Sequence, residues 1–213
     1  MKINEIFKSI QGETTFAGVP SVFIRTTGCN LRCSWCDTKY AYSEGEEYTS
    51  DDLVKVIEKF NCGFVVITGG EPMEQEDTPV LAERLIKDGY KVLVETNGSK
   101  DISILPSETF RIVDVKCPSS NMTDRMLWEN IQHLSSPSHD EVKFVITDYN
   151  DYVWAKSILK THKLNDICTV LFSPAFGLLN PAIMADWIIN DNLPVRMQLQ
   201  LHKYIWGTDA RGK

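Results

Sequence analysis

Short runs of uninterrupted apolar residues, set apart by amphipathic stretches, restrict the fold of this chain more than any other feature. Val65-Val66-Ile67 and Val92-Leu93-Val94 lack polar alternation, the pattern of strands covered on both faces. Strands are predicted over 21–26, 64–68, 91–95, 111–116, 141–147, 168–172 and 194–199. A helix is predicted over 51–60, with Ser50 as N-cap and Leu53, Val54, Ile57 and Phe60 as its apolar stripe. Another is predicted over 78–88, with Leu81, Leu85 and Ile86 inward and Gly89 as a C-terminal stop, and further helices over 123–134, 150–160 and 180–189. Strand–helix alternation with short connections means parallel β/α units. The strand number falls short of the eight of a closed barrel, so the expected fold is α/β, a partial, open β/α barrel of about six parallel strands with a reduced helix set. Chemistry in such folds collects where strands end, so the functional residues should directly follow strands.

The chain of 213 residues carries no internal repeat or long linker and reads as a single domain over 1–213. A net charge of −7 argues against broad binding to nucleic acid or to anionic membrane. No apolar run approaches a membrane span, and the first eight residues are too polar for a signal peptide, so a cytoplasmic protein is expected.

Three of the six cysteines, Cys29, Cys33 and Cys36, lie directly after the strand ending at Thr26, spaced C-x3-C-x2-C. Clustered cysteines in a reducing compartment are more often metal ligands than disulfides. Structural zinc wants four closed ligands, and His133, His139, His162 and His202 are scattered, with no spaced pair to complete such a site. A thioredoxin-type C-x2-C has no use for Cys29. Three thiolates from one short loop can instead hold a [4Fe–4S] cluster and leave one iron open to a non-protein ligand. Cys117 and Cys168 are expected in the core, and Cys62 has no motif around it.

The triplet, with Trp35 just before its last cysteine, resembles the radical S-adenosylmethionine (SAM) superfamily. The resemblance implies that SAM chelates the open iron and is cleaved by an electron from the cluster to give a 5′-deoxyadenosyl radical. Thr68-Gly69-Gly70-Glu71-Pro72, after the next apolar run, looks like that superfamily's GGEP segment, whose backbone meets the SAM amino group. Glycine allows close backbone approach and a carboxylate can balance an ammonium. Glu95-Thr96-Asn97-Gly98 resembles the following station.

Within the superfamily the chain is similar to the 7-carboxy-7-deazaguanine synthase family. The similarity lies in Glu5-Ile6-Phe7-Lys8-Ser9-Ile10-Gln11-Gly12-Glu13, Arg25, Thr27-Gly28-Cys29, Cys36-Asp37-Thr38, Asp114-Val115-Lys116-Cys117-Pro118-Ser119 and the tail Gln200-Leu201-His202-Lys203-Tyr204-Ile205-Trp206-Gly207. The chain departs from the family at Thr14, where Gly is usual. The resemblance implies a lyase that converts 6-carboxy-5,6,7,8-tetrahydropterin to 7-carboxy-7-deazaguanine with loss of ammonia, SAM being regenerated. It implies substrate contacts at Ile10, Gln11, Gly12, Glu13, Arg25, Thr68, Gln200 and the terminal Lys213. Gln11 and Glu13 suit the donor–acceptor edge of a pterin, and Arg25 suits its carboxylate. It implies SAM contacts at Trp35, Cys36, Asp37, Gly69, Gly70, Glu71, Glu95, Asn97, Asp114, Lys116, Ser119, Ser173 and Phe176. Thr38 is implied as a Mg²⁺ ligand, consistent with an ion that takes few protein oxygens. His202 is expected to be structural rather than a base. A homodimer and an electron donor such as a flavodoxin or ferredoxin are also implied. Two other readings stay open at this point: an activating enzyme for a glycyl-radical protein, and a non-catalytic iron–sulfur carrier or zinc module.

Overall fold

The structure, a computed structural model, describes residues 1–134, 139–208 and 210–213. Its strands are β1 (Lys2–Ile10), β2 (Pro20–Thr26), β3 (Glu46–Glu47), β4 (Phe64–Gly69), β5 (Lys91–Thr96), β6 (Phe110–Val115), β7 (Asp140–Ile146), β8 (Thr169–Pro174) and β9 (Arg196–Met197). They form one sheet in the order β3-β1-β2-β4-β5-β6-β7-β8-β9. From β2 through β4 to β9 every neighbouring pair is parallel, whereas β1 runs antiparallel to β2 and β3. The sheet has two ends, β3 and β9, so the barrel is open, as the strand number predicts. Among the described residues no helix is long and apolar enough to cross a membrane.

Helices α1 (Ser50–Glu58), α2 (Thr78–Lys87), α3 (Tyr149–Thr161) and α4 (Pro181–Asn190) fall near their predicted places; α5 (Leu201–Trp206) is additional. Thr49, not Ser50, caps α1, because Thr49 keeps extended backbone and its hydroxyl accepts from the Asp52 N–H at 3.2 Å. The predicted helix over 123–134 is instead two short 3₁₀ segments, Thr123–Arg125 and Trp128–His133. Here the buried Asn130 acts as a bracket for the neighbouring loop: its amide donates to Gly98 O and Lys100 O and accepts from Ile102 N. The strand predicted over 194–199 shrinks to Arg196–Met197.

Alternation along the strands gives the sheet two different faces. Val22, Ile24, Val65, Ile67, Val92, Val94, Val142 and Phe144 point toward the helices and join the main core. Phe23, Phe64, Val66, Leu93 and Ile112 point the other way, into a smaller cluster that includes Phe16. Phe16 belongs to the β1–β2 connection, and its ring lies 4.9 Å from both Phe64 and Phe110. This connection plugs the concave side of the sheet at the strand-start end. Thr14, within the plug, adopts φ 66, the left-handed backbone that makes Gly usual there.

Candidate active site

On the concave face the inner row Phe23, Val66, Leu93 and Ile112 gives way, two residues on, to Arg25, Thr68, Glu95 and Asp114. The same parity on β7 turns Glu141, Lys143 and Val145 inward. These polar strand ends surround a cavity of about 280 Å³, closed below by Gln11, Gly12 and Glu13 of the plug and bounded at the strand ends by Cys29, Cys33 and Cys36.

The cysteine loop is tied down by main-chain bonds. Gly28 N donates to Ala41 O at 2.8 Å, Glu71 N donates to Gly28 O at 2.7 Å, and Ser34 N donates to Ser120 O at 3.1 Å. Gly70 is required by this approach, since a Cβ there would meet Gly28 O at 1.9 Å. Gly70 therefore serves close packing against the cysteine loop, while its neighbour Gly69 packs against Thr26 at the end of β2. All three loop cysteines are free, partly buried and on the cavity wall. Burial pushes the Cys29 and Cys33 thiols up, so a bound cation must draw off their protons. Cys29 Sγ already accepts from Leu31 N at 3.4 Å and from the Asn97 amide at 3.7 Å, as a ligating thiolate would. Among the described residues no three His, Cys, Asp or Glu side chains converge as a single-ion site needs. Three thiols from one loop, all on the cavity wall, are the ligand set of a cluster that leaves one iron open.

Most residues implied for the ligands share this cavity: Ile10, Gln11, Gly12, Glu13, Arg25, Trp35, Asp37, Thr38, Thr68, Gly69, Gly70, Glu95, Asn97, Asp114, Lys116, Phe176, Gln200 and Lys213. Three are not among its lining residues. Glu71 is fully buried, and its carboxylate accepts from the Thr96 hydroxyl at 2.6 Å, Asn97 N at 2.6 Å and Met73 N at 3.0 Å. It braces two strand ends rather than facing an ammonium, and burial raises its pKa. Ser119 is engaged by Asp151, which accepts from its N–H and its hydroxyl, while the Trp35 indole donates to Ser119 Oγ at 3.2 Å. Ser173 is 2% exposed.

The remaining wall is charged and paired. Glu5 takes Nε of Arg25 at 2.7 Å, so this inward guanidinium is not left uncompensated. Lys116 Nζ lies 2.9 Å from Asp114 and 5.4 Å from the Trp35 ring centre. Asp37 accepts from the Thr38 hydroxyl at 2.9 Å and pairs with Lys203 at 2.5 Å. The tail folds over the plug: Leu201 N donates to Gly12 O at 2.8 Å, and the Gln200 amide donates to Glu13 Oε1 at 2.9 Å. Gly12 makes room for His202, whose Nδ1 would lie 2.1 Å from a Cβ there; burial lowers the pKa of this imidazole. Cys117 and Cys168 are core residues, as expected.

Lys143 is the main wall residue that motif reading overlooks. Its Nζ lies 2.7 Å from Glu13 and 3.7 Å from Asp114, with the side chain 10% exposed. The available signal was a lysine at an inward position of the otherwise apolar run Val142-Lys143-Phe144-Val145-Ile146.

Comparison with known proteins gives a consistent answer. The radical SAM superfamily matches residues 23–109. A 7-carboxy-7-deazaguanine synthase of Koribacter versatilis is 41% identical over all of this chain and all of its own length. One of Chlorobaculum tepidum is 42% identical over all of this chain and 97% of its own. The crystal structure of QueE from Escherichia coli superposes with a TM-score of 0.78 at 26% identity, covering 94% of each chain.

Proposed function

The chain belongs to the 7-carboxy-7-deazaguanine synthase family of radical SAM enzymes, and from that premise we propose how its cavity carries out the family's reaction. It is a radical SAM lyase that turns 6-carboxy-5,6,7,8-tetrahydropterin into 7-carboxy-7-deazaguanine with loss of ammonia. Cys29, Cys33 and Cys36 would hold the [4Fe–4S] cluster, and Lys116, Asp114 and Asn97 on the same cavity wall would contact SAM. Cluster and SAM together supply hydrogen-atom abstraction at carbon; the protein's part is binding, orientation and exclusion of water.

The observation that carries this reading is the single cavity with thiols at one end and a hydrogen-bonding, charged floor at the other. Gln11 and Glu13 on that floor match the donor–acceptor edge of a pterin ring. The guanidinium of Arg25 matches its carboxylate. Thr38 lines the same wall, and its hydroxyl would serve as a Mg²⁺ ligand, a hard oxygen suited to that ion. A floor this enclosed suits a small ring, which disfavours a glycyl-radical protein as substrate. The enzyme works as a homodimer reduced by a flavodoxin or ferredoxin.

The test is anaerobic. Protein reconstituted with iron and sulfide receives SAM, Mg²⁺, a reductant and 6-carboxytetrahydropterin, and products are followed by mass spectrometry. 7-Carboxy-7-deazaguanine is expected. Formation of 5′-deoxyadenosine alone would keep the radical SAM core and reject the substrate.

A further inference from the structure

Glu13, Glu95 and Asp114 converge on the inner wall around the ammonium of Lys143. Its Nζ contacts Glu13 at 2.7 Å and Asp114 at 3.7 Å, and its charge also acts on Glu95. Asp114 has a second cation in Lys116 at 2.9 Å. Glu95 has neutral donors, the Gln11 amide at 2.9 Å and the Thr68 hydroxyl at 3.1 Å. The two floor carboxylates are therefore held differently. Burial raises Glu95; burial also works against ionised Glu13, but Lys143 outweighs it and holds Glu13 below the usual carboxylate range.

Lys143 is one of several anchors of the plug, and fastening alone does not account for it. Glu141, two residues earlier on the same face of β7, already accepts from both the N–H and the hydroxyl of Thr15. Gln198 accepts from Thr14 N at 2.7 Å. A buried ammonium with no further role would add desolvation cost to a loop that is already anchored. Its particular effect falls on Glu13. Oε1 of Glu13 carries the Gln200 amide at 2.9 Å; Oε2 carries Lys143, with the Gln198 amide at a long 3.4 Å. A carboxylate offers about four lone-pair sites, so acceptor capacity remains for a ligand.

We propose that Lys143 is the positioning residue for Glu13, holding its carboxylate as a pure acceptor with one site left for a ring N–H donor, so that the pair selects a 2-amino-4-oxo ring over a 2,4-dioxo ring. This rests on the pterin reading above and adds the residue that enforces it. A protonated Glu13 would present a donor to a donor edge and lose that preference.

The experiment measures equilibrium binding to the reconstituted enzyme with SAM present, by anaerobic fluorescence titration. The probes are 6-carboxypterin and 6-carboxylumazine, which differ in the 2-amino against the 2-oxo group. Wild type should prefer the pterin ~10- to 100-fold, the worth of one hydrogen bond to a charged group. Lys143→Met, compared at equal iron content, should lose most of that preference, as should Glu13→Gln. The double variant should lose no more than either alone, and Lys143→Arg should recover part of it. If Lys143→Met does not accumulate as soluble protein, Lys143→Gln takes its place. Retention of the preference in the Lys143 variant would overturn the proposal, as would additive losses in the double variant or a wild type that binds neither probe. Binding needs no turnover: a wild type that discriminates the probes but forms no product would reject the proposed activity and leave the role of Lys143 standing.

Discussion

The cysteine loop and the plug under Glu13 face each other across one cavity, yet they are held by different forces. The loop hangs on main-chain hydrogen bonds, Gly28 to Ala41 and Glu71 and Ser34 to Ser120, with glycine where the backbones touch. The plug is held largely by side-chain charge and amides from β7 and from the residues after β9: Glu141, Lys143, Gln198 and Gln200. Main-chain bonds depend little on side-chain identity and do not titrate, so the path of the loop is insensitive to pH. A charge-held floor depends on side-chain identity and on pH.

The comparison breaks most completely at the loop. Cys33→Ala should abolish both iron incorporation and product formation, read by iron analysis and mass spectrometry; retained SAM cleavage would remove this cysteine from the cluster. Gly70→Ala comes next. Its Cβ would press on Gly28 O, and moving the two backbones apart costs about 1–3 kcal/mol, the cost of overpacking a core. Iron content per chain should fall well below that of wild type while the far-UV spectrum stays native.

At the floor, Glu13→Gln should lower stability by about 3 kcal/mol, roughly 6 to 12 °C in melting temperature. Its pH dependence separates the two ends. A lowered carboxylate stabilises above its ordinary value of about 4.3, and that stability is lost as pH falls through the folded value. The raised Lys143 stabilises below about 10.4 and loses its effect as pH rises further. The melting difference between wild type and Glu13→Gln should therefore stay flat from about pH 5 to about pH 9 and shrink below about pH 4. A difference that persists at pH 3 would show that packing, not charge, holds the floor. The smallest effect is expected at Thr38→Ala, which should raise the Mg²⁺ concentration for half-maximal turnover and leave the melting temperature within about 1 °C, since only the exposed bond to Asp37 is lost. An unchanged Mg²⁺ titration would take Thr38 out of the metal site.

The parallel strands were legible because strands covered on both faces must be apolar throughout, as 64–68 and 91–95 are. β1 was not, because an antiparallel strand near a sheet edge carries mixed residues such as Asn4, Glu5 and Lys8. The cysteine end of the site was legible because its ligands come from one loop. The floor was half legible: Gln11 and Glu13 stand in a motif, but Lys143 lies 130 residues from its partner. Glu71 was read as facing a ligand because its motif sits at a strand end. Only packing shows that its carboxylate turns down to brace Thr96 and Asn97.

What the chain determined by itself is what short-range chemistry controls: apolar runs that become β4 and β5, and three thiols close enough in sequence to share one cluster. What only the tertiary structure decided is which distant charges meet. Strand parity turns Lys143 inward, and the register that sets Asp114 beside it brings a lysine and two acids from separate segments into one buried network. Spacing along a chain says nothing of such encounters, because they depend on how neighbouring strands align and on the β1–β2 connection entering the concave side of the sheet.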